Sequence, residues 1–130
     1  MKIVIAGARV IGTYLAKLLS RNNEDITLID DDEDCLDNIS ANYDVLTLHD
    51  SPGSIKAMQT AGVQRCNLFI AVTGDQHVNL SSCSLAKALG AKRTVAKVED
   101  YEFADTANAE YLHHIGIDSI IYPELLGAKD

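Results

Sequence analysis

An open, doubly wound α/β sheet is what this 130-residue sequence predicts: six parallel strands in the order 3-2-1-4-5-6, with helices on both faces. Three observations carry that expectation. Short, continuous apolar runs recur six times, as strands covered on both faces require. Between them the apolar spacing lengthens to a helical period. Gly, Asn, Ser, Pro and Asp mark the junctions and leave only short loops. Right-handed crossovers then select the strand order.

The elements follow in turn. Lys2–Ala6 (KIVIA) is the first strand. From Val10 the period changes, and Val10, Ile11, Tyr14, Leu15, Leu18 and Leu19 form one helical stripe that Asn22-Asn23 ends. Ile26–Ile29 is the second strand. Asp31 or Asp32 caps the next helix, because a short carboxylate accepts bonds from free backbone N–H groups. Leu36 and Ile39 point inward from it. Val45–Leu48 is the third strand. Ser51 and Pro52 read as N-cap and first residue of a third helix, with Ile55 and Met58 as core contacts and Gly62 as its stop. Leu68–Val72 is the fourth strand, followed by a helix from Gln76 to Leu89 that Gly90 ends. Thr94–Val98 is the fifth strand, Ala104–His114 a helix ended by Gly116, and Ser119–Tyr122 the sixth strand. The final PELLGAKD reads as the first turn of another helix.

Composition narrows the function. A net charge of −8 argues against nucleic acid and against an anionic membrane surface as partners. No apolar run reaches the roughly 18 residues of a membrane span. The N-terminus enters a strand directly, so no signal peptide is expected. Cys35, Cys66 and Cys83 are odd in number and widely spaced, which fits reduced thiols rather than a metal or redox motif. His113 and His114 are helix neighbours about 100° apart, poorly placed to share one ion and better placed to meet the helix C-terminal dipole. His49 and His77 fall at loop edges near the expected cleft and read as surface residues. Asp75 reads as a helix cap that could also touch ligand. Tyr14 reads as core or interface, and Leu125-Leu126 as a subunit contact.

In such a sheet ligands bind beyond the C-terminal strand ends, where strand order reverses. The loop after the first strand is GARVIG. Gly7 permits the tight turn, and Gly12 lets the first helix lie close to the sheet. Free amides from Arg9 to Ile11 point at a pyrophosphate, whose charge the helix dipole favours. Asp30 ends the second strand, eighteen residues after Gly12, placed to accept bonds from a ribose diol. The acidic run through Asp34 repels a 2′-phosphate, so NAD or an unmodified adenosine nucleotide is favoured over NADP.

The segments LIDDDED, LFIAVTGDQHVN, LAKALGAKRTVAKVED and DSIIYPELLGA resemble the N-terminal, Rossmann-type RCK or KTN domain of bacterial Trk potassium-uptake regulators, the TrkA family. The resemblance implies a nucleotide-binding domain over residues 1–122 and the start of a crossover helix over 123–130, in a fragment of a longer regulator or a natural single-domain version. It implies a cytoplasmic regulatory subunit, peripheral to the membrane, that forms a homodimer or higher ring on a potassium transporter or channel. It implies NAD(H) as ligand, with ATP or ADP as the alternative, and no catalysed reaction. Gly7, Ala8, Val10, Ile11 and Gly12 match the family's phosphate turn, and Asp30 its ribose-binding acid. Asp50 falls beside the adenine, and Thr73 and Gly74 in the middle of the site. Lys97 stands where relatives usually carry an arginine reaching the phosphates or second ribose; Glu99 falls near the distal part of the ligand.

Arg9 departs from the turn, replacing its middle glycine. Either its stem crowds the phosphates, or needs a positive φ costing about 1–2 kcal/mol, or its guanidinium swings outward to make a charge-assisted bond worth roughly 1.5–3 kcal/mol. Two rival readings are the cofactor domain of an NAD-dependent dehydrogenase and an S-adenosylmethionine enzyme. All 130 residues are used by the sheet and its helices, leaving no substrate domain, and no acid–base pair stands at a catalytic spacing.

Overall fold

A computed structural model describes residues 1–123. Its elements are β1 (Lys2–Ala6), α1 (Val10–Ser20), β2 (Asp25–Asp30), α2 (Glu33–Asn42), β3 (Leu46–His49), α3 (Ile55–Ala61), β4 (Leu68–Ala71), α4 (Gln76–Leu89), β5 (Arg93–Lys97), α5 (Tyr101–Ala104), α6 (Ala109–His114) and β6 (Ser119–Ile121). The six strands form one parallel sheet in the order β3-β2-β1-β4-β5-β6, as the sequence predicts. β1 is central: Ile5 pairs with Leu28 of β2 on one side and Ile70 of β4 on the other. Strand order reverses between β1 and β4. The expected helix start at Pro123 and the Leu125-Leu126 contact fall at the edge of, or outside, the described residues.

The sheet separates two cores. One holds Val4, Phe69, Met58, Cys83 and Leu112 beneath α3, α4 and α6. The other holds Ile3, Ile5, Leu28, Leu36 and Ile39 beneath α1 and α2. Alternate residues of a strand point to opposite faces, so a run such as KIVIA feeds both.

Three local expectations are corrected. The stripe on α1 is rotated: Gly12 and Ala16 take the sheet-facing positions, and Val10, Tyr14 and Leu18 are 85%, 61% and 42% exposed. Small residues let the helix lie close to the sheet, and the large apolar side chains are displaced to its flanks. The cap of α3 is Ser54, whose Oγ accepts from Ala57 N at 3.2 Å, and not Ser51-Pro52. Ser51–Ser54 instead closes a turn, Ser54 N donating to Ser51 O at 3.1 Å, because a Pro-Gly pair favours a turn over a first helical residue. Ile55 consequently faces outward, 46% exposed, while Met58 is buried. Finally, the expected helix over Ala104–His114 is broken. Asp105 adopts an extended backbone, ends α5, and caps the next turn by accepting from Ala107 N at 3.0 Å.

A carboxylate ties the far strands to the helices at their opposite end. Asp118 accepts from Lys87 Nζ at 2.8 Å and Thr94 N at 2.9 Å, with His113 Nδ1 at 3.3 Å. Burial alone pushes its pKa up, but the hydrogen bonds from Lys87 and Thr94 and the charges of Lys87 and His113 together outweigh it and hold the carboxyl below its ordinary value. Asp118→Ala is expected to cost about 1–3 kcal/mol in urea unfolding at neutral pH, since it strands the Thr94 N–H and leaves the Lys87 ammonium with Lys92 O alone. A depressed folded pKa contributes in full above about pH 4 and is lost as pH falls through the folded value. The parent should therefore lose its advantage over the variant as pH falls below about 4; a difference that stays constant there excludes this linkage.

Candidate functional site

The C-terminal ends of β1 to β4 converge on a cavity of about 590 Å³. Its walls are Gly7 and Arg9 after β1, Asp30 and Asp31 after β2, Ser51 to Ser54 after β3, Thr73 to Asp75 after β4, and Val78 and Ser81 on α4.

The turn after β1 is held by contacts that leave no room for a side chain at Gly7 or Gly12. Gly7 has φ +110°, and its N–H donates to Ile29 O at 2.8 Å. A Cβ there would lie 2.9 Å from Thr73 N and the Val72 carbonyl carbon. Gly12 is tighter still: a Cβ would lie 1.7 Å from Gly7 O. Ala8 is fully buried, its N–H donating to Asp30 Oδ1 at 3.3 Å. Ala8 O accepts from Thr13 Oγ1 and, at 3.0 Å, from Cys35 Sγ. Residues of β2, α1 and α2 thus lock the backbone of one residue on both sides.

Arg9 is the N-cap of α1, with φ −74° and ψ −152°. That is ordinary extended backbone, so no left-handed strain attaches to arginine here. Its side chain is exposed and lines the cavity. The first intrahelical acceptor, Arg9 O, is used by Thr13 N at 2.8 Å. The amides of Val10, Ile11 and Gly12 come before it in the first turn, where a helix provides no acceptor of its own, and the dipole there favours an anion.

Asp30 is 4% exposed yet borders the cavity. Oδ1 accepts from Ala8 N and Oδ2 from Asp32 N at 3.1 Å. A carboxylate has about four acceptor positions, so each oxygen retains capacity for a ligand hydroxyl. Asp31 and Asp75 add negative charge to the walls, and Arg9 is the cation among them. His49 braces the acidic loop, Nε2 lying 3.0 Å from Asp31 O and Nδ1 3.7 Å from Glu33. His77 packs edge-on against Phe103.

The remaining sequence-derived positions divide. Thr73 and Gly74 border the cavity, as does Asp75, which caps α4 through His77 N and Val78 N. Asp50 is exposed and is not one of the walls: its N–H donates to Asp30 O at 3.0 Å and its Oδ1 accepts from Ser51 N at 2.7 Å, next to the Ser51–Ser54 turn. Lys97 and Glu99 are outside the walls, paired with each other at 3.3 Å.

Sequence reasoning singled out neither Asn79 nor Gln76. Asn79 is fully buried; its Oδ1 accepts from Thr73 N at 2.9 Å and Thr73 Oγ1 at 2.6 Å, and its Nδ2 donates to Thr73 O at 3.1 Å and Lys97 O at 2.9 Å. An asparagine on the apolar face of a helix is the sequence signal that could have flagged it, since a buried amide needs partners. Gln76 reaches the loop after β5, accepting from Glu99 N and Asp100 N at 2.9 and 3.0 Å and donating to Asp100 Oδ2 at 2.8 Å. Burial raises all three thiols, Cys66 to about 11 and Cys83 to about 12, so they stay protonated at neutral pH. Among the described residues no cluster of His, Cys, Asp and Glu could hold a metal ion, and no helix is long and apolar enough to cross a membrane.

Comparison with known proteins places the chain in a family and agrees with the fold. The family model "TrkA-N domain" matches residues 3–123. The chain is 37% identical over 130 residues to a Trk system potassium uptake protein TrkA homolog of Archaeoglobus fulgidus, covering all of this chain and 29% of that protein. It is 30% identical over 128 residues to a second such homolog, from Methanothermobacter thermautotrophicus, covering 98% of this chain and 57% of that one. The chain therefore spans between about a third and somewhat over half of these relatives' length. In structure it resembles the TrkA-N domain of the inner membrane protein ybaL from Escherichia coli, with TM-score 0.81, 14% identity, and 98% and 90% coverage of the two chains. It also resembles the GsuK channel bound to NAD, with TM-score 0.73, 18% identity, and 92% and 21% coverage. A GsuK structure bound to ADP matches with the same TM-score and identity, over 93% of this chain and 31% of that one. At these identities the structures establish the fold.

Two glycines of this site should respond oppositely to alanine. Gly12→Ala must displace backbone and should cost about 3 kcal/mol or more; Gly74→Ala, with nothing within 4 Å of its Cβ, should stay within about 0.5 kcal/mol. Denaturant titration of both reads this directly, and equal effects would refute the packing account. Asn79→Ala should cost about 2 kcal/mol and accelerate hydrogen exchange at the Thr73 amide more than at the centre of β1.

Proposed function

This chain belongs to the TrkA-N domain family, and from that premise we propose that it is the nucleotide-sensing domain of a regulatory subunit for potassium uptake, binding an adenine nucleotide of the NAD(H) or ADP/ATP class. One observation carries the reading: a tight turn pinned by Gly7 and Gly12, with the first-turn amides of α1 and the Arg9 side chain, stands beside a buried carboxylate with acceptor capacity to spare. The amides and Arg9 meet phosphates, Asp30 meets a ribose diol, and the Ser51–Ser54 turn with Val78 provides the wall for a base. The potassium-uptake names of the relatives and the NAD and ADP of GsuK support the same reading.

On this reading the domain senses and does not catalyse. Its partner is the membrane subunit of a potassium transporter or channel, on whose cytoplasmic face it sits as a homodimer or higher ring. The row Val10, Tyr14, Leu18, left exposed along α1 directly beyond the phosphate turn, supports such contacts. It also supports coupling, because a ligand on the first turn of α1 bears on the helix that carries the row. A ligand shifts an assembly only through different affinities for its two arrangements.

Isothermal titration with NADH and ADP tests the site. The parent should bind at least one of them without consuming it. Arg9→Gly should weaken binding by about 10- to 100-fold, the equivalent of one charge-assisted bond, and Asp30→Asn should weaken it as well. No binding by the parent at saturating ligand overturns the proposal, as does steady NADH turnover with alcohols or hydroxy acids.

A further inference from the structure

The cavity reaches only the near edge of the second half of the sheet, at the end of β4 and the start of α4. A doubly wound sheet has two mononucleotide-binding halves, and a dinucleotide lies across both, at the ends of β1 to β3 and of β4 to β6. Among the described residues every wall comes from the loops after β1 to β4 or from the start of α4, and none from the loop after β5. That loop is instead closed against α4 by protein. Gln76 spans the gap with three hydrogen bonds, to Glu99 N, Asp100 N and Asp100 Oδ2. The one cation at the end of β5, Lys97, is taken by Glu99 at 3.3 Å, with its side chain 15% exposed. A second nucleotide entering here must displace the Gln76 amide, leave two backbone donors without their acceptor, part Lys97 from Glu99, and meet the Asp100 carboxylate. A mononucleotide on the turn after β1 disturbs none of these groups.

We propose that this cleft is selective for an adenine mononucleotide carrying a phosphate chain, and that Gln76 is the residue that excludes the second nucleotide of a dinucleotide. The inference rests on the nucleotide-site reading above and narrows its ligand to the ADP/ATP class. Gln76 sets specificity from outside the mononucleotide's walls, so its loss should change one ligand and spare the other.

The test is titration of the full chain with ADP and with NAD, for the parent and for Gln76→Ala, with thermal unfolding to show that both are folded. The parent should bind ADP at least about tenfold more tightly than NAD. In Gln76→Ala the affinity for NAD should rise about tenfold, while that for ADP stays within about twofold. A parent that binds NAD as tightly as ADP overturns the selectivity and leaves the nucleotide site standing. Preference for ADP with an unchanged ratio in Gln76→Ala overturns the role of Gln76. Binding of neither ligand overturns both the site and this inference.

Discussion

The approach of α1 to the end of β1 is the constraint from which the rest of the site follows. Gly12 lies so close to Gly7 O that a single methyl group would sit 1.7 Å from it. Only with that contact does the first turn of α1 stand directly over the sheet, with its amides at the strand ends. The same closeness sets the packing of the helix. Ala16 continues the small face that Gly12 begins, and Val10, Tyr14 and Leu18 are turned to the outside. One steric requirement thus sets both the place of the first-turn amides and an exposed apolar row on the same helix.

Arg9 shows how a motif position can be read too strictly. The middle glycine of such turns is associated with close approach to pyrophosphate, and a left-handed backbone would make any other residue costly. Here the residue is an N-cap in extended conformation, at φ −74°. The backbone requirement falls on Gly7, at φ +110°, and the steric requirement on Gly12. Position 9 keeps an open outward direction, and a long cation there brings positive charge to a cavity whose other charged wall residues are Asp30, Asp31 and Asp75.

The two halves of the crevice differ in what holds them. Around β1 and β2 the loops are held by backbone and by Asp30, whose carboxylate borders the cavity with acceptor capacity left over. Around β4 and β5 the polar groups are turned on one another: Asn79 joins Thr73 to Lys97 O, Gln76 joins α4 to Asp100, and Lys97 pairs with Glu99. The first arrangement can receive a ligand without giving anything up. The second must first break contacts it already makes.

Most of the fold was legible because its signals are local. Apolar runs, helical periods, and the stops at Gly62 and Gly90 identified each strand and most helix ends, and crossover handedness then ordered the sheet. The misplaced cap at Ser51 and the unbroken helix over Ala104–His114 failed where two local signals competed, the Pro-Gly turn against proline at a helix start, and the Asp105 cap against apolar periodicity. Of the site, the sequence by itself determined Gly7, Gly12 and Asp30, because backbone freedom, absence of a Cβ and a carboxylate at a strand end are properties of residue type and spacing. Only the tertiary structure decided that Asn79 meets Lys97 O, that Gln76 meets Asp100, and that Lys97 and Glu99 face each other outside the cavity. The two cross-links join residues 18 and 24 positions apart, and both depend on where α4 lies against the end of β5. Strand register and the path of the crossovers set both, and no local pattern encodes them.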